Sequence, residues 1–302
     1  MSEMTSPVVA CIGVFDGVHR GHRALIDVAR SVADEAGLPL VAITFSPHPA
    51  AVLRPDSVPA QIASLADRIT LLYEAGADAV EVIDFTPEYA HITPTEFIDD
   101  ALVERMQAAQ VVVGANFRFG RMASGDPDLL IRECATRGIT AHVVPLAADT
   151  TPWSSTRIRR LVSTGDVDQA AEVLGRPFSL TGVVVHGDHR GRELGYPTAN
   201  IEVAEGMLVP AEGVYAGWLE VGDNRFAAAI SVGTNPQFEG ADLRIEAYCI
   251  DRQGLDLYDQ HSRVVFTRWL RGQEVFGTLE EFLAQMAQDV EQARFVLEGT
   301  IA

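Results

Sequence analysis

Val8-Val9-Ala10-Cys11-Ile12-Gly13-Val14-Phe15-Asp16-Gly17-Val18-His19-Arg20-Gly21-His22 is the stretch whose reading decides the fold. Val8 to Ile12 is an apolar run of strand length, and the glycines that follow mark a turn. Beyond it Leu25, Val28, Ala29, Val32 and Ala33 recur at helical spacing. The segment therefore reads as strand, glycine-rich turn, helix. Gly13, Gly17 and Gly21 let the backbone approach a ligand, and the helix start offers N–H groups and a positive dipole end to phosphate. His19 and His22, three apart, fall on one face of the first helical turn. Two imidazoles beside a phosphate stabilise charge developing on transferring oxygens. An ordinary surface pair is the alternative, which the flanking glycines and Asp16 disfavour.

The same alternation continues. Apolar runs at about 39–45, 79–84, 110–114 and 139–145 are separated by helical patterns. Ser64 with Asp67 is a helix start, and Thr93-Pro94-Thr95-Glu96 is a capping box with proline at the first helical position. Gly76 and Gly138 fall where helices should stop. Strands alternating with helices imply a parallel doubly wound sheet, with ligands bound outside the carboxyl ends of its strands.

Special residues cluster at those ends. Thr44-Phe45-Ser46-Pro47-His48-Pro49 follows the second strand; its prolines predict an extended loop, with Phe45 and His48 offering flat faces to an aromatic ring. Gly114-Ala115-Asn116-Phe117-Arg118-Phe119-Gly120 follows the fourth. Ser154-Ser155-Thr156-Arg157-Ile158-Arg159-Arg160 follows the fifth, with hydroxyls and arginine forks suited to a triphosphate. Each loop alone has a structural explanation, such as a cap at Ser155 or a core role for Phe117 and Phe119. Four loops at successive strand ends point to one site.

Composition sets limits on the chemistry. The chain has 302 residues, a length for about two domains. Its formal charge of −19 disfavours nucleic acid or an anionic membrane as partner. All 23 basic residues are arginine. With no lysine, a Walker-type lysine, a lysine-adenylate and a Schiff base are excluded, so ATP chemistry must use backbone amides, arginine, histidine and metal. Cys11, Cys134 and Cys249 lack metal-ligand spacing and read as buried thiols. No apolar run reaches membrane-span length and no signal peptide is visible, so a cytoplasmic location is expected.

Near residue 176 the pattern changes. Asp166 reads as the cap of a helix ending at Leu174-Gly175, and Arg176-Pro177 breaks the chain, dividing it into 1–175 and 176–302. Short β-rich runs near 180–185, 213–221, 225–230, 243–250 and 263–271 follow. A helix from Thr278 then carries an apolar face of Leu279, Phe282, Leu283, Met286 and Val290. A small β-barrel with a terminal helix fits. Within it, His186-Gly187-Asp188-His189-Arg190-Gly191-Arg192-Glu193-Leu194-Gly195-Tyr196-Pro197-Thr198-Ala199-Asn200 reads as a glycine-rich loop over a polyanion. Thr198 and Asn200 alternate on an extended segment and point the same way, as ligands of a hard cation such as Mg²⁺ do. A glycine-rich hairpin with surface charge is the plainer reading. Glu246 stands among Ile245, Ala247 and Tyr248, where an unpaired buried acid is costly.

The histidine turn resembles the signature of adenylyl-transferring enzymes. With the later loops, the 186–200 stretch, Gly233-Thr234-Asn235-Pro236 and Arg244-Ile245-Glu246, the chain resembles the bacterial bifunctional riboflavin kinase/FAD synthetase family from about residue 8 to 297. The resemblance implies phosphorylation of riboflavin to FMN in the C-terminal half and transfer of AMP from ATP to FMN, giving FAD, in the N-terminal half. It places His19, His22, Gly13, Asp16, Gly17, Gly21, Ser155, Thr156 and Arg159 about ATP and its phosphates, and Phe45, His48, Pro49, Asn116 and Phe119 about the flavin. It makes Thr198 and Asn200 ligands of Mg²⁺-ATP, shapes the kinase phosphate loop with Gly187, Arg190 and Gly191, and makes Glu246 the general base. Departures are a short lead before the first strand, Ser46 where an acid is common, Trp153 before the serines and Gln237 where threonine is usual. Three rival readings remain open: a kinase beside an impaired N-terminal half, another histidine-signature enzyme such as an aminoacyl-tRNA synthetase, and a non-catalytic flavin-binding module. Oligomeric state is not legible.

Overall fold

The computed structural model describes residues 7–145, 153–187, 195–234 and 243–299. The chain forms two compact units, 1–155 and 156–302.

The first unit holds five strands, β1 (Val8–Ile12), β2 (Leu40–Ser46), β3 (Ala79–Asp84), β4 (Ala108–Gly114) and β5 (Thr140–Val144). All pair parallel, in the order β3-β2-β1-β4-β5. Its helices are α1 (Arg20–Ala36), α2 (Pro49–Leu53), α3 (Leu65–Glu74), α4 (Pro94–Ile98), which runs on into a π-helical turn over Asp99–Arg105, and α5 (Pro127–Thr136). Every residue of β1 is buried. Val8, Ala10 and Ile12 pack with Phe97, Ile98 and Leu102, while Val9 and Cys11 pack with Ile26 and Ala29 of α1 and Leu72 of α3. Burial on both faces is why these strands read as unbroken apolar runs. Strand order reverses between β1 and β4, the switch point where such sheets bind ligands. The doubly wound parallel sheet is as expected.

Local signals account for the helix limits. Ser64 Oγ accepts from the Asp67 N–H, and Thr93 and Glu96 form the full capping box. Gly76 (φ +104°) and Gly138 (φ +73°) lie just past α3 and α5 in the left-handed region. The three cysteines are free and buried, and burial raises their thiols to about 12 (Cys11) and about 11 (Cys134, Cys249).

In the second unit α6 (Ser155–Ser163, entered at the last residue of the first) and α7 (Val167–Leu174) precede a closed antiparallel barrel. Its strands are β6 (Phe178–Val185), β7 (Thr198–Val203), β8 (Gly213–Val221), β9 (Asn224–Thr234), β10 (Leu243–Cys249) and β11 (His261–Arg271), ordered β10-β7-β6-β11-β8-β9. Leu180, Ile201, Ile230, Ile245 and Phe266 are buried in it. A Cβ on Gly217 would lie 2.0 Å from the Val265 carbonyl oxygen, so only glycine lets β8 and β11 approach this closely. Helix α8 (Leu279–Glu298) lays Ala293 and Leu297 against Ala216, Trp218, Ala229 and Tyr248. Arg271 ties β11 to α8 through a two-pronged pair with the buried Asp289, Nε–Oδ1 2.9 Å and Nη2–Oδ2 2.7 Å. Asp166 stands at the start of α7, but its carboxylate accepts from Thr164 Oγ1 instead of capping the helix. Barrel and terminal helix match the expectation; β7 was not among the predicted strand runs. Among the described residues no helix is long and apolar enough to cross a membrane.

Candidate active sites

At the β1–β4 switch point the loops after β1 to β5 enclose a cleft of about 470 Å³. Gly13, His19, Gly21, His22, Phe45, Pro49, Asn116, Phe119 and Ser155 all line it, so most of the sequence-predicted residues meet there. His19 is the N-cap of α1. Its Nδ1 accepts from the N–H groups of Gly21 (3.1 Å) and His22 (3.4 Å). That places the ring proton on Nε2 and leaves the imidazole neutral. Two of the helix amides expected to meet phosphate are thus occupied by His19 itself. His22 stacks on His19 with centroids 3.7 Å apart and 16° between planes, and Phe15 meets His22 edge-on at 5.3 Å. Burial first, then the neighbouring His19 and Arg68, hold the His22 pKa well below 6.5.

The turn carrying these rings is strained. Phe15 (φ +53°), Gly17 (φ +80°) and Val18 (φ +38°) all adopt left-handed backbone, although Phe15 and Val18 are fully buried. A Cβ on Gly17 would lie 2.6 Å from Ile62 Cγ2. Asp16, expected beside phosphate, is buried, and its Oδ1 accepts from the amides of Ile62 and Ala63 at 3.0 and 3.3 Å. Ser155 Oγ donates to the Asp16 carbonyl at 3.1 Å.

Aromatic side chains form another wall. Phe45, Phe85, Tyr89, Phe97, Phe117 and Phe119 make a continuous set of ring contacts, with Phe117 and Phe119 stacked at 5.3 Å. Gly125 permits this, since a Cβ there would sit 2.8 Å from the Phe119 ring. His48 differs from expectation. Pro49 starts helix α2 where an extended loop was predicted, and His48 Nδ1 caps that helix by accepting from Ala50 N–H at 3.1 Å. Its ring is committed to the cap and is not among the cleft's lining residues. Thr156, exposed, and Arg159, half-buried, belong to the second unit.

On the barrel, Ile245 and Ala247 are buried while Glu246 between them is half-buried on the opposite face of β10. The sequence argument from a buried acid is corrected here: strand alternation turns the carboxylate away from the barrel core. Glu246 stands opposite Asn200 of β7 and Ser231 of β9. Thr198 Oγ1 lies 3.5 Å from Glu246 Oε2. Gly187 makes room for Asn200, since a Cβ there would fall 2.2 Å from Asn200 Nδ2. Gln273, which no sequence signal marked, donates to Ser231 Oγ (3.2 Å) and the Val232 carbonyl (3.0 Å) beside this row. Arg190, Gly191, Asn235, Pro236 and Gln237 lie outside the described residues.

Comparison with known proteins agrees with both halves. Residues 1–157 match the FAD synthetase family model and 174–297 the riboflavin kinase model. A bifunctional riboflavin kinase/FMN adenylyltransferase of Escherichia coli K12 is 34% identical over 288 residues, covering 95% of this chain and 91% of that protein. The chain belongs to the bifunctional riboflavin kinase/FMN adenylyltransferase family. A member from Bacillus subtilis is 29% identical over 299 residues, covering 97% and 93%. A solved structure described as a macrolide-efflux protein from Streptococcus pneumoniae superimposes with a TM-score of 0.87 at 32% identity, covering 96% of this chain and 94% of that one; the likeness is one of fold.

The depressed His22 pKa gives a stability test. Above its unfolded value of 6.5 the ring is neutral in both states, and His22 adds no pH dependence. Below it the unfolded chain takes up a proton that the folded chain resists, so stability falls as pH drops towards the depressed folded value. Between about pH 7.5 and about pH 5.5 this group should remove about 1.4 kcal/mol. Urea titrations of the full chain should show that loss in the first unit and not in His22→Asn; equal slopes would mean His22 titrates normally.

Proposed function

We propose that the chain makes FAD from riboflavin in two ATP-dependent steps, with the boundary between the activities near residue 176. The barrel half transfers the γ-phosphoryl group of ATP to the riboflavin 5′-hydroxyl, releasing ADP. The sheet half joins the FMN phosphate to the α-phosphorus of ATP, breaking its bond to the β-phosphate oxygen and releasing pyrophosphate. The observation that carries this reading is the cleft at the switch point, where a stacked histidine pair and a wall of aromatic rings line one cavity. Such a cavity suits a polyphosphate lying beside a flat heterocycle.

In the sheet half the neutral His19 presents Nε2–H to a phosphate oxygen, and His22 fixes the ring by stacking. No covalent intermediate is required, so positioning and electrostatics carry the rate. Phe45, Pro49, Phe117 and Phe119 take the flavin side, Asn116 and Ser155 the polar side. Asp16 and Gly17 serve by shaping the turn, and His48 by starting α2.

In the barrel half Glu246 accepts the hydroxyl proton as the new O–P bond forms. Thr198 and Asn200 present oxygen donors from β7, a pair that suits a hard divalent cation, and the space left by Gly187 accommodates the Asn200 side chain. These two residues would hold Mg²⁺, which neutralises phosphate charge when bound.

Purified full-length protein incubated with riboflavin, ATP and Mg²⁺ should form FMN first and FAD later, and excess EDTA should stop both. FMN without FAD would refute catalysis in the sheet half. No phosphorylated flavin from folded protein would overturn the whole reading.

A further inference from the structure

Arg68 lies outside every motif of the sequence, yet it is only 1% exposed and is among the largest fully buried side chains of the chain. It shares a face of α3 with Leu71 and Leu72, three and four residues on, where an apolar residue would be expected. Burying a cation is costly unless its protons are well used. A single nitrogen, Nη1, donates to the Val14 carbonyl (3.0 Å), Thr44 Oγ1 (3.1 Å) and the Phe45 carbonyl (3.0 Å). Thr44 Oγ1 in turn donates a hydrogen bond to the Val14 carbonyl at 2.9 Å. Val14 belongs to the strained histidine turn, Thr44 and Phe45 to the end of β2, and both Val14 and Phe45 line the cleft.

The connection runs in both directions. Arg68 reaches from α3 to hold the turn, while Asp16 reaches from the turn to hold the Ile62 and Ala63 amides that lead into α3. The Asp16 carboxylate and the Arg68 guanidinium attract each other across this arrangement. Backbone at three left-handed positions in four residues persists only when its surroundings over-determine it.

We propose that Arg68 is a positioning residue for adenylyl transfer, locking the histidine turn to the end of β2 so that the phosphate side and flavin side of the cleft keep one geometry. It touches no substrate; its effect passes through Val14 and Phe45. This rests on the adenylyltransferase reading of the cleft.

The test uses full-length Arg68→Met and Arg68→Lys, with riboflavin phosphorylation in the same sample as an internal control. Arg68→Met should lower kcat for FMN adenylylation by about 100-fold, the scale of an ångström-sized misplacement, with KM for ATP changing by less than about 5-fold. Riboflavin phosphorylation should stay within about 2-fold, as expected for an independent site carried by the other unit. Arg68→Lys should recover activity to within about 5-fold of wild type, because three acceptors converging on one nitrogen suit the three donors of an ammonium. A folded Arg68→Met with wild-type kcat, or a folded Arg68→Lys as inactive as Met, overturns the proposal. If Arg68→Met does not fold, Thr44→Val removes the relay while keeping the cation. It should cost about 10-fold in kcat, and unchanged adenylylation there overturns the proposal. Failure of wild type to form FAD would instead refute the reading of the cleft.

Discussion

Replacing Glu246 by glutamine should lower riboflavin phosphorylation by about 100- to 10,000-fold while FMN adenylylation by the same molecules stays unchanged. Glutamine keeps the size of the side chain and an oxygen that can accept from Thr198 Oγ1, 3.5 Å away in the wild type. It removes only the charge and the ability to take a proton. Because Glu246 faces away from the buried Ile245 and Ala247, the substitution leaves the barrel core intact, and melting should be little altered. The loss should fall on kcat more than on KM for ATP, since a base acts in the transition state. A variant within about 3-fold of wild type would remove Glu246 from the chemistry, well under the contribution expected of a general base. A module that only binds flavin has no use for a base and would be indifferent to the change.

What could be read from the sequence follows from how far apart the determinants lie. The strands of the sheet are legible because burial on both faces, as in β1, writes itself into consecutive residues. The histidine turn is legible because glycines and histidines lie within ten residues of one another. β7 carries a different signature, the strict polar–apolar alternation of Thr198-Ala199-Asn200-Ile201-Glu202-Val203, of which only the extended Thr198–Asn200 part was read; pairing with β6 and β10 makes it a full strand. Phe85, Tyr89 and Phe97 reach the cleft from the loop after β3 and from α4. The strand-end rule that marked the other four loops applied to β3 as well, and Phe85 directly follows it.

Three polar residues show a subtler limit. Asp16 in a glycine turn invites a phosphate or metal reading, but its partners are amides 46 and 47 residues away. His48 beside a flavin loop invites stacking, whereas Pro49 at a first helical position was the signal that it caps instead. Arg68 is passed over because a charged helical residue is ordinarily solvent-facing. Its spacing to Leu71 and Leu72 carried the opposite message. In each case the residue type suggested direct chemistry or none, and the structure gives it the task of holding backbone.

His19 caps α1 and, on the proposed reading, also donates to phosphate, and its variants should separate the two tasks. His19→Asn should cut FAD formation from FMN and ATP by about 100- to 1,000-fold, the scale of losing one preorganised donor to developing charge. Asparagine is itself a good N-cap and can accept from the Gly21 or His22 amide as His19 Nδ1 does, so α1 should keep its stability. His19→Ala should lose the same catalytic factor and, in addition, about 1 kcal/mol of stability from the missing cap. Riboflavin phosphorylation in either variant should match wild type, showing that the loss is confined to the sheet half. The comparison turns on the Nε2–H, which neither replacement supplies. If His19→Asn forms FAD within about 3-fold of wild type, far less than an essential donor contributes, then His19 is a helix cap alone. The phosphate contact would then have to come from the stacked His22.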